Sequence, residues 1–164
     1  MQSLRRPIVA VVGAGSCSPE EAALAEAVGR GLAEGGATLI CGGLEGVMAA
    51  AARGARSAGG VTIGVLPGSS TADANPYIDI PIATGMGEAR NLILVRTASA
   101  VIAVGGEFGT LSEIAFALKL GCPVIGLDTW ELSKQGHAND SILRAGTPEE
   151  AVRLALVAIS HQIA

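Results

Sequence analysis

Residues 8–13 read IVAVVG, a short apolar run that ends in the glycine loop Gly13-Ala14-Gly15-Ser16. A run that is apolar at every position is typical of a strand buried on both faces, as in parallel sheets. The loop is followed by Ser18-Pro19-Glu20-Glu21, a capping box with proline at the first helical position, which predicts a helix to about Gly35. A strand, a glycine turn and a helix in this order form the first half of a βαβ unit.

The same alternation of apolar runs and alanine-rich segments continues along the chain. It predicts strands at residues 38–41, 61–66, 77–83, 101–104 and 123–127, and a last edge strand at residues 142–145. Helices are predicted at residues 45–57, 87–99, 111–120 and from Thr147 onward, whereas residues 128–139 show no regular pattern. This alternation favours an α/β fold, a doubly wound and mainly parallel Rossmann-like sheet with helices on both faces. The chain has 164 residues and no linker or repeat, so we expect a single domain over residues 1–164.

Bulk composition disfavours several classes of protein. The net charge is −4 and no basic run is present, which argues against binding to a nucleic acid polymer. The longest apolar stretches are strand-sized, so no membrane span is expected. Residues 1–7 hold no apolar signal core, and Cys17, Cys41 and Cys122 fit neither a disulfide framework nor a zinc site. We therefore expect a soluble cytoplasmic protein with reduced thiols and no metal site.

Four of the predicted strands end in glycine-bearing loops. In a parallel sheet the carboxyl ends of all strands lie at one edge, where open α/β folds bind their ligands. Helix N-termini point to the same edge and offer unpaired N–H groups to a phosphate. We therefore predict a site for a small phosphate-bearing ligand. Its predicted residues are Gly13, Gly15, Ser16, Gly42, Gly43, Pro67, Gly68, Gly105, Gly106, Gly109 and Thr110.

Missing motifs narrow the choice of ligand. The pattern Gly13-x-Gly15-x-x-Ser18 lacks the third glycine of a dinucleotide fingerprint, and Cys41-Gly42-Gly43 lacks the acid that would hold an NAD ribose. No segment matches the Gly-Lys-Ser/Thr end of a P-loop. NAD-dependent redox chemistry and P-loop NTPase activity are therefore disfavoured.

The fourth glycine loop belongs to a recognisable motif. Residues 105–113, Gly-Gly-Glu-Phe-Gly-Thr-Leu-Ser-Glu, are similar to the Gly-Gly-x-Gly-Thr-x-x-Glu motif of the LONELY GUY (LOG) family. Residues 86–91, Met-Gly-Glu-Ala-Arg-Asn, resemble the Met-x-x-Arg-Lys segment of that family. The resemblance is strongest to a sub-branch of short proteins that includes molybdenum-cofactor carriers. That sub-branch shares the Gly-Gly-x-x-Gly-Thr spacing of residues 105–110, Gly-Val-Met, here at residues 46–48, and Ile-Gly-Val-Leu-Pro-Gly, here at residues 63–68.

The resemblance implies a dimeric, Rossmann-like protein with defined site residues. LOG enzymes hydrolyse the N-glycosidic bond of nucleoside 5′-monophosphates and release the base and ribose 5-phosphate. By position, Arg90 would neutralise the phosphate or organise the sugar, and Glu113 would orient water and stabilise an oxocarbenium-like transition state. The glycines of residues 105–109 and the Thr110 hydroxyl would bind the phosphate. Glu113, as a carboxylate, would repel the phosphate.

Three departures from the enzyme pattern favour binding over turnover. The glycine motif has one extra residue, and Val104 stands where the enzymes have proline. The Met-to-Arg spacing is one residue longer, with Asn91 in place of lysine. A displacement of about 1 Å can cost roughly a hundredfold in rate.

Two main functional hypotheses remain open, and both use the same loops. The first is a nucleotide-binding protein with phosphoribohydrolase activity on a nucleoside monophosphate. The second is a non-catalytic carrier or sensor of a nucleotide-like cofactor such as the molybdenum cofactor. Neither requires a resident cofactor besides a bound nucleotide, phosphate or molybdenum cofactor, and a third hypothesis, a structural or regulatory dimer, requires no ligand. Proteins of this family are often labelled lysine decarboxylases, but a pyridoxal-dependent decarboxylase needs a lysine in its active site to form a Schiff base. Lys119 falls at the end of a predicted helix and Lys134 in the irregular tail, so this label is disfavoured.

Plainer roles for the same residues also remain open. Glu113 falls in the first turn of the predicted helix, where the dipole alone favours an acid, and Thr110 is placed to be a plain N-cap. A solvated helix residue is an alternative role for Arg90. The centre of the predicted helix 87–99, Leu-Ile-Leu-Val at residues 92–95, is apolar on every face, which predicts a homodimer or a higher homo-oligomer through residues 87–99.

Overall fold

The fold was analysed in a computed structural model that describes residues 6–163. The prediction that residues 1–7 hold no signal core therefore lies mostly outside the described residues. The strands are β1 (Ile8–Val12), β2 (Thr38–Cys41), β3 (Thr62–Leu66), β4 (Ile80–Ala83), β5 (Ala100–Val104), β6 (Val124–Leu127), β7 (Leu132–Lys134), β8 (His137–Asn139) and β9 (Ile142–Ala145). The helices are α1 (Pro19–Glu34), α2 (Val47–Ser57), α3 (Arg90–Thr97), α4 (Phe108–Lys119) and α5 (Pro148–Ile163), with short 3₁₀ turns at Thr71–Asp73 and Gly87–Ala89.

Seven of the strands form one sheet in the order β4-β3-β2-β1-β5-β6-β9. Every neighbouring pair in this sheet is parallel. The chain runs outward from β1 to β4 and then returns to β5 on the other side of β1, so the direction of winding reverses between β1 and β5. This confirms the predicted doubly wound α/β fold and the edge position of residues 142–145.

Two apolar layers enclose the sheet, because successive side chains of each strand point to opposite faces. On one face, strand residues such as Val9 and Ile102 pack in a cluster with residues of α1, α2 and α5. On the other face, Ala10 and Val101 pack in a cluster with residues of α3 and α4. Helices therefore cover both faces of the sheet, as predicted.

Small residues bring helices α1 and α2 unusually close together. Gly29 of α1 lies against the backbone of Ala51 in α2, and a Cβ at Gly29 would overlap the Ala51 carbonyl oxygen. None of the four aromatic side chains of the chain is buried. The core is therefore packed by aliphatic side chains and by close backbone contacts.

The structure corrects the boundaries of two predicted helices. The predicted helix at residues 111–120 begins earlier, at Phe108, so the last part of the glycine motif is helical. The predicted helix at residues 87–99 is a 3₁₀ turn at Gly87–Ala89 followed by α3, since Gly85 and Gly87 have positive φ. The apolar centre of this helix is also mostly covered by its own chain. Leu94 and Val95 are buried in the core, and of residues 92–95 only Ile93 is exposed.

Two further segments differ from the prediction. Of the strand predicted at residues 77–83, only Ile80–Ala83 (β4) is a strand. The Asp79 carboxylate accepts hydrogen bonds from the Thr62 N–H and hydroxyl and so holds the residues before β4 in a loop. The stretch predicted to be irregular, residues 128–139, contains the antiparallel hairpin β7–β8. Its two turn residues, Gln135 and Gly136, both have positive φ, as a type I′ turn requires.

None of the helices between residues 6 and 163 is long and apolar enough to cross a membrane.

Candidate functional site

A cleft of about 360 Å³ opens at the carboxyl edge of the sheet, beside the reversal point between β1 and β5. Its walls come from the loop after β1, the loop after β2 and the starts of α3 and α4. This is the edge at which the sequence predicted a ligand site. The residues that line the cleft are Gly13, Ala14, Gly15, Ser16, Leu44, Met48, Glu88, Arg90, Asn91, Glu107, Gly109, Thr110 and Glu113.

The structure brings seven of the predicted site residues together in this cleft. They come from the loop after β1, from the first turn of α3 and from the first two turns of α4. These residues are Gly13, Gly15, Ser16, Arg90, Gly109, Thr110 and Glu113.

The other predicted residues lie behind the cleft and support it. Gly42 lies under the Arg90 guanidinium, and a Cβ at that position would overlap Arg90 Nη1. The Gly43 carbonyl accepts a hydrogen bond from the Asn75 N–H. The Pro67 and Gly68 carbonyls accept hydrogen bonds from the Gly87 and Gly85 N–H groups, so they hold the turn that precedes α3. Gly105 and Gly106 form the bend between β5 and α4, and Gly106 has a φ of 106°, which favours glycine.

Arg90 is a buried cation in the wall of the cleft. Arg90 is 7% exposed, and its Nη1 donates a hydrogen bond of 3.0 Å to the Val65 carbonyl. This bond uses one of the five N–H groups of the guanidinium, and Nε has no hydrogen-bond partner among residues 6–163. Arg90 is therefore not a solvated helix residue, and its charge lies where an anion would be stabilised.

Glu113 is a buried acid in the same wall. The residue is 7% exposed, and burial raises the pKa of its carboxyl from 4.5 to about 8. The nearby positive charge of Arg90 opposes this rise in pKa, and the negative charge of Glu88 adds to it. A carboxyl with this pKa is mostly protonated at neutral pH, which weakens the expected repulsion between Glu113 and a phosphate. Glu113 also lies in the second turn of α4, which corrects its predicted place in the first turn.

The N-terminus of α4 faces the cleft without a side-chain cap. Glu107 occupies the N-cap position, and its side chain makes no capping hydrogen bond. Thr110 is therefore not the N-cap that the sequence allowed but a buried residue of the first turn. The first N–H groups of a helix have no partner within the helix, so those of Phe108, Gly109 and Thr110 are donors suited to an anion.

Sequence reasoning did not single out two buried residues of the cleft. Asn91 was noted only as a departure from the enzyme motif, yet it is 4% exposed and its Oδ1 has no hydrogen-bond partner in the described part of the chain. Met48, in the quoted Gly-Val-Met segment, packs at 8% exposure beside Gly42. Both residues lie in segments that resemble the family, residues 46–48 and 86–91. That they face the cleft depends on tertiary packing, which the segments alone do not show.

The charge of the cleft comes mainly from acids. Glu88 and Glu107 are exposed, and Arg90 is the one basic side chain among the lining residues. Within residues 6–163, no cluster of three or more histidine, cysteine or acidic side chains could hold a metal ion. The arrangement is suited to one anionic group near Arg90 and the start of α4, with uncharged atoms elsewhere.

Comparison with known proteins gives a consistent result. The family model of the SLOG cluster4 family matches residues 6–152. An uncharacterised protein from Archaeoglobus fulgidus is 46% identical over 144 residues, which cover 88% of this chain and 91% of that protein.

Two solved structures are similar over almost the whole chain. The first is the molybdenum cofactor binding protein from the phototrophic bacterium Rippkaea orientalis. It has a TM-score of 0.87 and 39% identity, covering 99% of this chain and 100% of that one. The second is the molybdenum cofactor (Moco) carrier protein from Chlamydomonas reinhardtii, with a TM-score of 0.83 and 33% identity, covering 96% of this chain and 99% of that one. These likenesses agree with the part of the sequence resemblance that concerns molybdenum-cofactor carriers.

Proposed function

The chain belongs to the SLOG cluster4 family, and from this we propose that it binds and carries a nucleotide-like, phosphate-bearing cofactor of the molybdenum-cofactor kind. The single observation that carries the proposal is the buried Arg90 beside the uncapped start of α4, in a cleft of about 360 Å³. The names of two structural neighbours support the class of ligand.

The phosphate of the ligand is expected at the start of α4. The N–H groups of Phe108, Gly109 and Thr110, together with the helix dipole, stabilise an anion there. Arg90 supplies the positive charge. Its buried Nε–H has no hydrogen-bond acceptor among residues 6–163, and a phosphate oxygen would provide one. Because a protonated Glu113 carries no charge, it opposes this phosphate much less than a carboxylate would.

A phosphoribohydrolase is the second candidate, since Arg90 and Glu113 line one cleft. A carboxyl that stabilises a positively charged, oxocarbenium-like transition state must be ionised. The raised pKa of Glu113, about 8, leaves most of this carboxyl protonated at neutral pH. A bound phosphate would raise that pKa further. The protonation state therefore favours a carrier over a hydrolase.

The test combines calorimetry with a base-release assay. Wild-type protein titrated with inorganic phosphate, AMP and GMP should bind without releasing free base at neutral pH. Arg90→Ala should weaken binding about ten- to a hundredfold, since it removes one charge-assisted contact. Arg96→Ala is the matched control, because Arg96 is an exposed residue of the same helix that does not line the cleft.

Three outcomes decide between the candidates. Binding without turnover supports the carrier. Base release that Glu113→Gln abolishes would establish the hydrolase instead. If none of the three probes binds, both the carrier and the hydrolase are overturned. Arg90→Lys keeps the charge and tests whether a loss of affinity in Arg90→Ala comes from disturbed folding.

A further inference from the structure

Two of the four aromatic side chains of the chain, Phe108 and Trp130, pair at the start of α4, next to residues that line the cleft. Phe108, at 75% exposure, is the most exposed large apolar side chain among residues 6–162. The ring centroids of Phe108 and Trp130 are 5.5 Å apart, and their planes make an angle of 39°. The Trp130 indole N–H donates a hydrogen bond of 3.2 Å to the Glu107 carbonyl. The pair is therefore fixed to the glycine loop.

The pair also borders the expected phosphate position. The two chain neighbours of Phe108, Glu107 and Gly109, both line the cleft. Trp130 packs partly against the core cluster on the α3 and α4 side of the sheet, so this ring of the pair is held by the core. Phe108 is also the first residue of α4, so its ring is attached to the backbone that offers the first of the proposed N–H donors.

The glycine motif explains how the sequence places an aromatic ring there. The motif of the LOG family has one residue between its second and third glycines, whereas this chain has two, Glu107 and Phe108. Of Phe108, only the backbone N–H takes part in the phosphate contacts proposed above, and its ring is left free. An exposed phenylalanine in that position calls for another partner, since burying a phenylalanine side chain is worth about 1.5–3 kcal/mol.

We propose that Phe108 and Trp130 form a stacking surface for the fused heterocyclic ring of the ligand, a pterin or a purine. The inference rests on the proposed function, because it assumes a phosphate at the start of α4. Aromatic side chains bind heterocyclic rings by stacking, largely irrespective of the ring's hydrogen-bonding pattern. The exposed acids Glu88 and Glu107 disfavour a second anionic group at this rim, which leaves an uncharged ring as the fitting occupant.

The experiment compares a ligand that has a ring with one that lacks it. GMP and ribose 5-phosphate are titrated against the wild type, and binding is followed by calorimetry and by the fluorescence of Trp130, the only tryptophan in the chain. GMP should quench this fluorescence and ribose 5-phosphate should not. Phe108→Ala should weaken GMP binding by about fivefold or more and leave ribose 5-phosphate binding unchanged.

Matched variants separate stacking from other effects. Phe116→Ala removes the other phenylalanine of α4, which lies about two turns beyond Phe108 and is not part of its pair with Trp130, and should change neither affinity. Phe108→Tyr should keep GMP affinity, whereas Phe108→Leu should lose it although it keeps an apolar side chain.

Three results would count against the inference in different ways. Equal GMP affinity in the wild type and Phe108→Ala, with ribose 5-phosphate still bound, overturns the stacking surface and leaves the proposed function standing. A changed molar mass in light scattering, with unchanged GMP affinity, would make the pair a contact between copies of the chain and would also overturn it. Failure of the wild type to bind either probe overturns the proposed function itself.

Discussion

At the scale of single residues, the protonation of Glu113 decides the electrostatics of the cleft. Removing a carboxyl from water disfavours its charged form, and one neighbouring cation does not restore it here. A protonated acid carries no charge and leaves Arg90 free to attract an anion. The charged fraction of Glu113, and with it the repulsion of a phosphate, should grow as the pH rises toward its pKa of about 8.

Glu113→Gln should stabilise the ligand-free protein, by an amount that grows with pH. The folded protein holds the Glu113 proton up to a pKa of about 8, against an ordinary value of 4.5. The stability that this proton contributes is therefore complete below the ordinary pKa and is lost as the pH rises toward 8, at up to about 1.4 kcal/mol per pH unit. Glutamine does not ionise and avoids this loss. Urea unfolding of both proteins from about pH 5 to about pH 8 measures the difference in free energy of unfolding.

Glu45→Gln provides the control, since Glu45 is exposed and lies outside the cleft. Its difference from the wild type should stay small and constant over the same pH range. A difference for Glu113→Gln that does not widen with pH would show that the carboxyl is already ionised in the folded protein.

The sequence could locate these residues but not their environment. The spacing of the glycine motif and of Met86 to Arg90 was enough to place Arg90 and Glu113 in one site. It could not predict that both are buried, because burial depends on side chains that are distant in sequence. Gly42 and Pro67 were predicted to contact the ligand, but they lie behind the cleft and support its wall. In sequence, a loop residue that supports a neighbouring turn looks the same as one that contacts a ligand.

At the scale of elements, the start of α4 is the decisive feature. The helix begins inside the glycine loop, so its uncapped N–H groups and the side of Gly109 both face the cleft. A sequence-based boundary at residue 111 missed this first turn, because Gly106 and Gly109 have low helix propensity. Tertiary contacts, among them the hydrogen bond from Trp130 to the Glu107 carbonyl, hold the turn in place.

Gly109→Ala should separate stability from ligand binding. A Cβ at Gly109 meets no atom within 4 Å, so the fold accommodates it. Alanine is also the better helix former by up to about 1 kcal/mol, and the variant should unfold at the same or a higher temperature. The added methyl lies beside the N–H donors and should weaken the binding of inorganic phosphate. Thermal unfolding and calorimetry on one preparation measure both effects.

Gly106→Ala is the contrasting variant in the same loop. Its φ is 106°, and a Cβ there would overlap the Thr110 side chain at 2.5 Å. This substitution should lower stability and phosphate binding together. Phosphate affinity in Gly109→Ala equal to that of the wild type would mean that the anion binds away from the start of α4.

The whole molecule shows why the fold was easier to predict than the site. Each run of apolar residues is long enough for one strand, and each helix between them returns the chain to the same edge, so alternation alone determines a parallel sheet. Strand order brings the loops after β1 and β5 side by side, and this is what joins Gly13 and Thr110 in one cleft. The hairpin β7–β8 was missed because its turn, Gln135-Gly136, lacks the asparagine or aspartate that usually marks a type I′ turn.

The homodimer stays a prediction, and three exposed isoleucines indicate the surface through which it would form. Ile93 on α3 is 39% exposed, and Ile80 and Ile82 on β4 are 47% and 45% exposed. The two β4 residues pair with Ile63 and Val65, which belong to the core cluster of the α3 and α4 side, so all three lie on one side of the sheet.

Light scattering should report a dimer that Ile93→Glu converts to a monomer. Covering each of the three isoleucines would contribute about 1 kcal/mol or more, and a buried unpaired carboxylate would cost more than any one of them gives. Val157→Glu is the matched control, because Val157 is 44% exposed but lies on α5, which covers the other face of the sheet. It should leave the molar mass unchanged. A wild-type monomer at micromolar concentration, or a dimer that Val157→Glu disrupts and Ile93→Glu does not, would place the interface away from residues 87–99.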